Sequence, residues 1–230
     1  MNTTAKALQG QIVVITGALG ALGRCVSEAA ATSGATVVAV DRVDGTAPGG
    51  AQSWPALDLG NAAATEAAIA AIAARHGGLD ALVNIAGGFR WETLEDGSTE
   101  TWDRLYDLNI RTAVNACRAA LPHLRAGGRI VNIGAAGAVK AAAGMGAYAA
   151  SKAGVAKLTE ALAEELKDRA ITVNALLPSI IDTPTNRADM PDADHARWVQ
   201  PQELAEVILF LLDPRASAVT GALIPVTGRV

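Results

Sequence analysis

A tyrosine and a lysine stand four residues apart in Tyr148-Ala-Ala-Ser-Lys152, within a stretch whose apolar spacing predicts a helix. At that spacing a phenol and an ammonium share one helix face, and a neighbouring cation favours the phenolate, lowering a tyrosine pKa from about 10 by roughly 1–3 units. The expected chemistry is proton exchange near neutrality. Tyrosine and lysine at this distance also occur as ordinary neighbours on a helix surface, so the pair takes its meaning from what surrounds it.

A second group of residues supplies that context. Thr16-Gly17-Ala18-Leu19-Gly20-Ala21-Leu22-Gly23 follows an apolar run, Ile12–Thr16, and leads into a helical pattern. Glycines at a strand-to-helix turn let the backbone approach a pyrophosphate, and the helix N-terminus adds free N–H groups and partial positive charge. Asp41 ends the next apolar run, Thr36–Val40, at about the distance where a carboxylate meets the adenosine ribose hydroxyls of a dinucleotide. An acid there repels a 2′-phosphate, so NAD(H) is favoured. Arg42 keeps NADP(H) possible, since its guanidinium either pairs with a phosphate or stays a solvated charge beside the adenine.

The elements that must hold these groups alternate from end to end. Strands are predicted at Ile12–Thr16, Thr36–Val40, Gln52–Leu57, Ala81–Asn84, Arg129–Ile133, Thr172–Leu176 and Leu223–Val226. Helices are predicted at Leu22–Ser33, Ala62–His76, Thr99–Leu124, Tyr148–Asp168 and Pro201–Leu212. The pattern gives an α/β fold, a single doubly wound Rossmann-type domain over residues 1–230 with a seven-stranded parallel sheet covered on both faces. A polar, Pro-rich stretch at about 184–200 reads as a substrate lid or a mobile surface loop.

Composition narrows the partners. The chain has 230 residues, 50% of them hydrophobic, with no apolar run near the ~20 residues of a membrane span. Met1 to Gln11 lacks the charged start and apolar block of a secretory signal, so a cytoplasmic location is expected. A net charge of −4 with 19 scattered Lys and Arg argues against a nucleic-acid surface. Cys25 and Cys117, with His76, His123 and His195 dispersed, indicate neither a disulfide framework nor a metal site; both cysteines read as buried apolar groups. A small-molecule substrate is the expectation.

Together these motifs resemble the short-chain dehydrogenase/reductase family over nearly the whole chain. Asp58-Leu59 looks like its adenine-contacting pair, and Asn84-Ile85-Ala86-Gly87 resembles its Asn-Asn-Ala-Gly turn. Asn109 matches the helix asparagine of the catalytic tetrad, with Tyr148 and Lys152 as the Tyr-x-x-x-Lys pair. Pro178 to Thr183 resembles the loop that holds the nicotinamide carboxamide, which implies cofactor contacts from Pro178, Ile181 and Thr183 as well as from Gly17, Leu19, Gly20, Ala21, Leu22, Asn84, Ala86 and Gly87. The resemblance further implies that Lys152 binds the nicotinamide ribose, that Asn109 holds a water in a proton relay, and that the long helices pair into a homodimer or homotetramer.

The departures from the family pattern carry chemistry of their own. Ala21 stands at the usual middle glycine, Ile85 replaces the second asparagine and Ser179 the glycine after Pro178. The family's catalytic serine lies thirteen residues before its tyrosine, at position 135, and that residue is alanine. Losing a positioned donor at a developing oxyanion costs on the order of 10²–10³ in rate. A degenerate enzyme, a donor from elsewhere, or a substrate that needs none would each account for it. The quinonoid dihydropteridine reductases, one branch of the family, share this alanine, the Gly88-aromatic step, Gly144-Met145 and the lid sequence from Asp182 to Trp198. On that resemblance Trp91 and Trp198 stack on a flat ring and Asn186 bonds its nitrogens, with Ala135 beneath; the alternative is that both tryptophans anchor the core or an interface. The resulting expectation is an NAD(P)H-dependent reductase of a small cyclic conjugated substrate. Its rivals are a carbonyl reductase or alcohol dehydrogenase without the serine, and a non-catalytic NAD-binding sensor.

Overall fold

The computed structural model describes residues 6–230, so the first five residues of the amino-terminal stretch weighed above lie outside the described residues. Its strands are β1 (Ile12–Thr16), β2 (Thr36–Val40), β3 (Gln52–Ser53), β4 (Leu79–Asn84), β5 (Leu124–Ile133), β6 (Thr172–Pro178) and β7 (Leu223–Val226). Its helices are α1 (Ala21–Thr32), α2 (Ala62–His76), α3 (Thr99–Tyr106), α4 (Thr112–Ala120), α5 (Gly146–Glu165), α6 (Pro184–Asp189) and α7 (Pro201–Leu212).

All neighbouring strands run parallel, in the order β3-β2-β1-β4-β5-β6-β7. β1 is buried along its whole length, as a strand covered on both faces must be. Ile12 and Val14 join the core under α2, α4 and α5, while Val13 and Ile15 join the one under α1 and α7. Each such side chain is worth about 1.5–3 kcal/mol when fully buried. The order reverses between β1 and β4, and the carboxyl ends of those strands open the crevice where α/β sheets bind ligands.

Four elements differ from expectation. β5 begins at Leu124, where the long helix was expected to end, and not at Arg129. β3 closes after Ser53 instead of running to Leu57; Leu57 N–H still reaches the Asp41 carbonyl at 2.8 Å, but Pro55 can donate nothing to a ladder. The single helix predicted at Thr99–Leu124 is α3 and α4 joined by a π-helical turn, Asp107–Arg111, which buries Asn109 and Ile110. Such an insertion is invisible to a 3.6-residue pattern and is frequent at functional sites. The lid is not bare loop: Thr183 caps α6 by accepting from the Asn186 N–H at 3.2 Å, with Pro184 opening the helix.

The helix that carries Tyr148 and Lys152 is pinned to the sheet by a buried polar row. Asn84 Nδ2 donates to Asn132 Oδ1 at 2.9 Å, and Asn132 Nδ2 donates to Thr159 Oγ1 on α5 at 2.9 Å. Amides placed this way fix the register of α5 on β5, because any slip leaves them unpaired in an apolar core. Cys117 is buried as expected, its thiol pushed up to about 12 by burial, whereas Cys25 is only partly buried.

Candidate active site

Two adjoining cavities lie along the crevice. The larger, about 1270 Å³, is lined by Gly17, Leu19, Gly20, Ala21 and Leu22 on one side and by Asp41, Arg42, Asp58 and Leu59 on another, and it continues past Ala86 and Gly87 to Thr183. Its glycines are required by contact. A Cβ on Gly23 would lie 2.1 Å from the Gly17 carbonyl oxygen, and one on Gly17, whose φ is +64°, would lie 2.7 Å from the Ala86 nitrogen. At Gly20 a Cβ would meet nothing closer than 3.4 Å, so the shifted glycine and Ala21 leave the turn's geometry intact. Gly20 caps α1 without a side-chain bond, leaving first-turn N–H groups free for an anion.

Asp41 does two things here. Its carboxylate accepts from the Leu19 N–H at 3.0 Å and the Val43 N–H at 3.4 Å, fastening the glycine turn, and it still lines the cavity with lone pairs to spare. Thr16, which sequence reasoning passed over, completes the fastening: its Oγ1 accepts from the N–H groups of Ile85 and Ala86 at 3.2 and 3.3 Å. These features fit a dinucleotide, with the pyrophosphate at the turn and the adenosine toward Asp41 and Asp58. Asn84 is a correction. Its side chain is buried in the row beneath the sheet and lines neither cavity, so its part is bracing and not cofactor contact.

The smaller cavity, about 210 Å³, brings Tyr148 and Lys152 together with Gly87, Gly88, Phe89, Ile133, Gly134, Pro178, Ser179 and Ile181. The electrostatics reverse the sequence expectation for the tyrosine. Lys152 is 5% exposed and donates to the Ile133 carbonyl at 2.8 Å, and burial brings its ammonium down to about 8. Burial pushes the Tyr148 phenol up to about 12. At neutral pH the phenol therefore holds its proton. That is the state needed for a donor.

Asn109 braces the site through its side chain. Its Oδ1 accepts from the Gly88 N–H at 2.9 Å, and its Nδ2 donates to the Gly88 carbonyl at 3.1 Å and to Ser151 Oγ at 3.0 Å. The side chain clamps the β4 turn to α5 and keeps one Oδ1 lone pair with which to accept from a water. Ser151 Oγ in turn donates to the Tyr148 carbonyl at 2.8 Å.

The expected ring-stacking groups are not at the cavity. Trp198 is 4% exposed and packs on His195 with ring centroids 4.4 Å apart, so it anchors the lid base. Trp91 donates from Nε1 to the Ala143 carbonyl at 3.0 Å and fills the notch of Gly144, where a Cβ would lie 2.2 Å from its ring. Asn186 spends its Nδ2 on the Ile181 carbonyl at 2.7 Å, inside the lid. Ala135 is buried beside the site, below Ala138, whose N–H it accepts at 3.0 Å. The aromatic ring that does reach the cavity is Phe89, edge-on to Tyr148 with centroids 4.9 Å apart and planes at 84°. An aromatic directly after a glycine pair was its only signal in the sequence.

Asp182 closes the lid base. Arg187 grips its carboxylate at 2.5 and 2.7 Å and Gln200 donates at 2.9 Å, which holds the carboxyl well below the usual range. Among the described residues no helix is long and apolar enough to cross a membrane.

Comparison with known proteins agrees with this geometry. A model described as short chain dehydrogenase matches residues 11–194. The 3-oxoacyl-[acyl-carrier-protein] reductase of Vibrio cholerae is 31% identical, the match covering 96% of this chain and 97% of that protein. The D-threitol dehydrogenase of Mycolicibacterium smegmatis is 32% identical over 96% of this chain and 93% of its own. A short chain dehydrogenase from Burkholderia cenocepacia, solved in complex with NADP, superposes with a TM-score of 0.88 at 31% identity, covering 96% of this chain and 98% of that one. None of these three is a pteridine reductase, and the lid residues that suggested that branch hold the lid together instead. The chain, an oxidoreductase with a nicotinamide-nucleotide fold, belongs to the short chain dehydrogenase family.

Proposed function

We propose that this enzyme reduces a small, cyclic, conjugated substrate, an imine, quinone-like or quinonoid dihydropterin ring, with Tyr148 as the proton donor. A nicotinamide nucleotide bound in the cleft supplies the hydride. The observation that carries the reading is the inventory of the small cavity, a phenol, a buried lysine and an aromatic edge, together with the alanine that follows Gly134 at position 135, where the family pattern has a donor hydroxyl. A conjugated ring spreads incoming charge over its own atoms and depends less on such a donor than an isolated ketone does. Lys152 holds positive charge beside the developing tyrosinate, and Asn109 keeps the Gly88 wall and α5 in register.

Asp41 supports NAD(H) as the preferred nucleotide, since a carboxylate on the cleft wall suits ribose hydroxyls and repels a phosphate. Arg42, exposed on the same rim, is the reason NADP(H) remains a substrate to test. We also infer a homodimer or homotetramer, supported by Trp102 and Tyr106 standing 41% and 52% exposed on α3 beside α5.

A carbonyl reductase or alcohol dehydrogenase is the second reading, favoured by the two curated relatives above. Steady-state assays with NADH across quinones, cyclic imines, dihydropterins and aliphatic ketones separate the two. The proposal expects conjugated rings to exceed ketones in kcat/KM, and Ala135→Ser to raise ketone turnover by roughly 10–100-fold with little change for the rings. Ketones preferred by the native chain would overturn it.

A further inference from the structure

Nothing polar fixes the orientation of the proton donor. Tyr148 takes a side-chain hydrogen bond only at its carbonyl, from Ser151, and its hydroxyl makes none among the described residues. A phenol ring held only at its Cβ can swing, and proton transfer demands a heavy-atom approach near 3 Å; a misplacement of about 1 Å costs roughly 10²-fold in rate. Something else must hold the ring.

We propose that Phe89 is a positioning residue that seats the Tyr148 ring from its edge, itself held by the Asn109 clamp on Gly88. The contacts form a closed circuit. Tyr148's carbonyl accepts from Ser151, Ser151 accepts from Asn109, Asn109 grips both polar atoms of Gly88, and the next residue returns a ring to the Tyr148 ring at 4.9 Å. Gly88 has to be glycine for this path, because a Cβ there would lie 2.5 Å from Leu108 Cδ2. Beyond Phe89 the segment is fastened again, by Trp91 Nε1 on the Ala143 carbonyl at 3.0 Å and the Glu92 N–H on the Gly144 carbonyl at 2.8 Å. Phe89 is 53% exposed and lines the cavity beside Tyr148. With alanine at 135, an apolar edge does what a polar neighbour does not.

The charged surroundings are simple. Lys152 is the one charged side chain lining the cavity; the ends of β5 and β6 and the turns after β4, β5 and β6 present only uncharged residues there. A change in Tyr148 ionisation on altering Phe89 therefore reports the ring contact and the burial it provides.

The chain has two tyrosines, Tyr106 and Tyr148. In a Tyr106→Phe background the ultraviolet absorbance of tyrosinate follows Tyr148 alone, in the substrate-free protein. Phe89→Ala is expected to move that ionisation down by about one unit, bring the alkaline limb of the kcat profile with it, and lower kcat by roughly 10–100-fold, with NADH affinity kept within about twofold. Phe89→Leu, which keeps apolar bulk without a ring edge, is expected to lose kcat with a smaller shift, and Phe89→Tyr to restore kcat. Native kcat and unshifted Tyr148 ionisation in both Phe89→Ala and Phe89→Leu would overturn the inference, as would a loss of kcat that Phe89→Tyr leaves unrepaired. The inference rests on Tyr148 as proton donor; were Tyr148→Phe to turn over normally, that reading would fail, while the substrate-free titration would still decide whether Phe89 seats the ring.

Discussion

The two halves of the crevice were built under different constraints. In the nucleotide half the backbone itself does the binding: glycines at 17 and 23 exist because a Cβ would strike main-chain atoms, and Asp41 and Thr16 tie the turn to its neighbours through N–H groups. In the substrate half the work falls to side chains from α5 and from the turns after β4, β5 and β6, and several of those side chains spend their polar capacity on one another. Backbone solutions admit few sequences and leave a spaced motif. Side-chain solutions admit many, and position alone does not say which way a tryptophan or an amide points.

Perturbing each half tests that contrast, and the largest effect belongs to the backbone. Gly23→Ala forces a methyl group to within 2.1 Å of the Gly17 carbonyl oxygen, so NADH affinity is expected to fall on the order of 100-fold or more, about 2.7 kcal/mol or more, in a fluorescence titration. An affinity within threefold of the native value would show that the turn relaxes more freely than its contacts allow. In the substrate half, Trp198→Ala is expected to act on stability, by roughly 3–5 kcal/mol, through the cavity it leaves. Thermal unfolding should register it fully, and KM for a ring substrate should move in proportion to lid disorder and not to lost stacking.

Lys152 gives a smaller and pH-dependent effect. Its ammonium titrates near 8 in the fold against about 10.5 when unfolded, so between these values the unfolded chain binds more protons and stability rises with pH. At neutral pH the buried charge is therefore a cost. Lys152→Met is expected to be more stable than the native chain by about 1–3 kcal/mol near pH 7, with the gap closing between pH 8 and 10.5, while activity is lost. Melting curves across that range that stay parallel would contradict the burial of a charged lysine.

The same contrast explains what could be read before the fold was known. The strand positions, the glycine turn, Asp41 and the Tyr148/Lys152 pair follow from periodicity and spacing, which the polymer's geometry enforces. The π-helical turn at Asp107–Arg111 does not, because a 3.6-residue template carries no signal for a single wider turn inside a long helix. Trp91, Trp198 and Asn186 have the right chemistry for a flat ligand, yet Gly144, His195 and the Ile181 carbonyl claim them first. Phe89 was visible only as an aromatic after two glycines. The pKa of Tyr148 was misjudged for a related reason: spacing reports a neighbouring cation, but desolvation is a property of the packed site.

The central claim is that Tyr148 delivers the proton at a nicotinamide site. Pre-steady-state mixing of Tyr148→Phe with NADH and the best ring substrate, read by NADH fluorescence, tests it in one experiment. The account predicts native-like NADH binding, within about threefold, and a turnover rate lowered by roughly 10²–10⁴. Native turnover in that variant would contradict it.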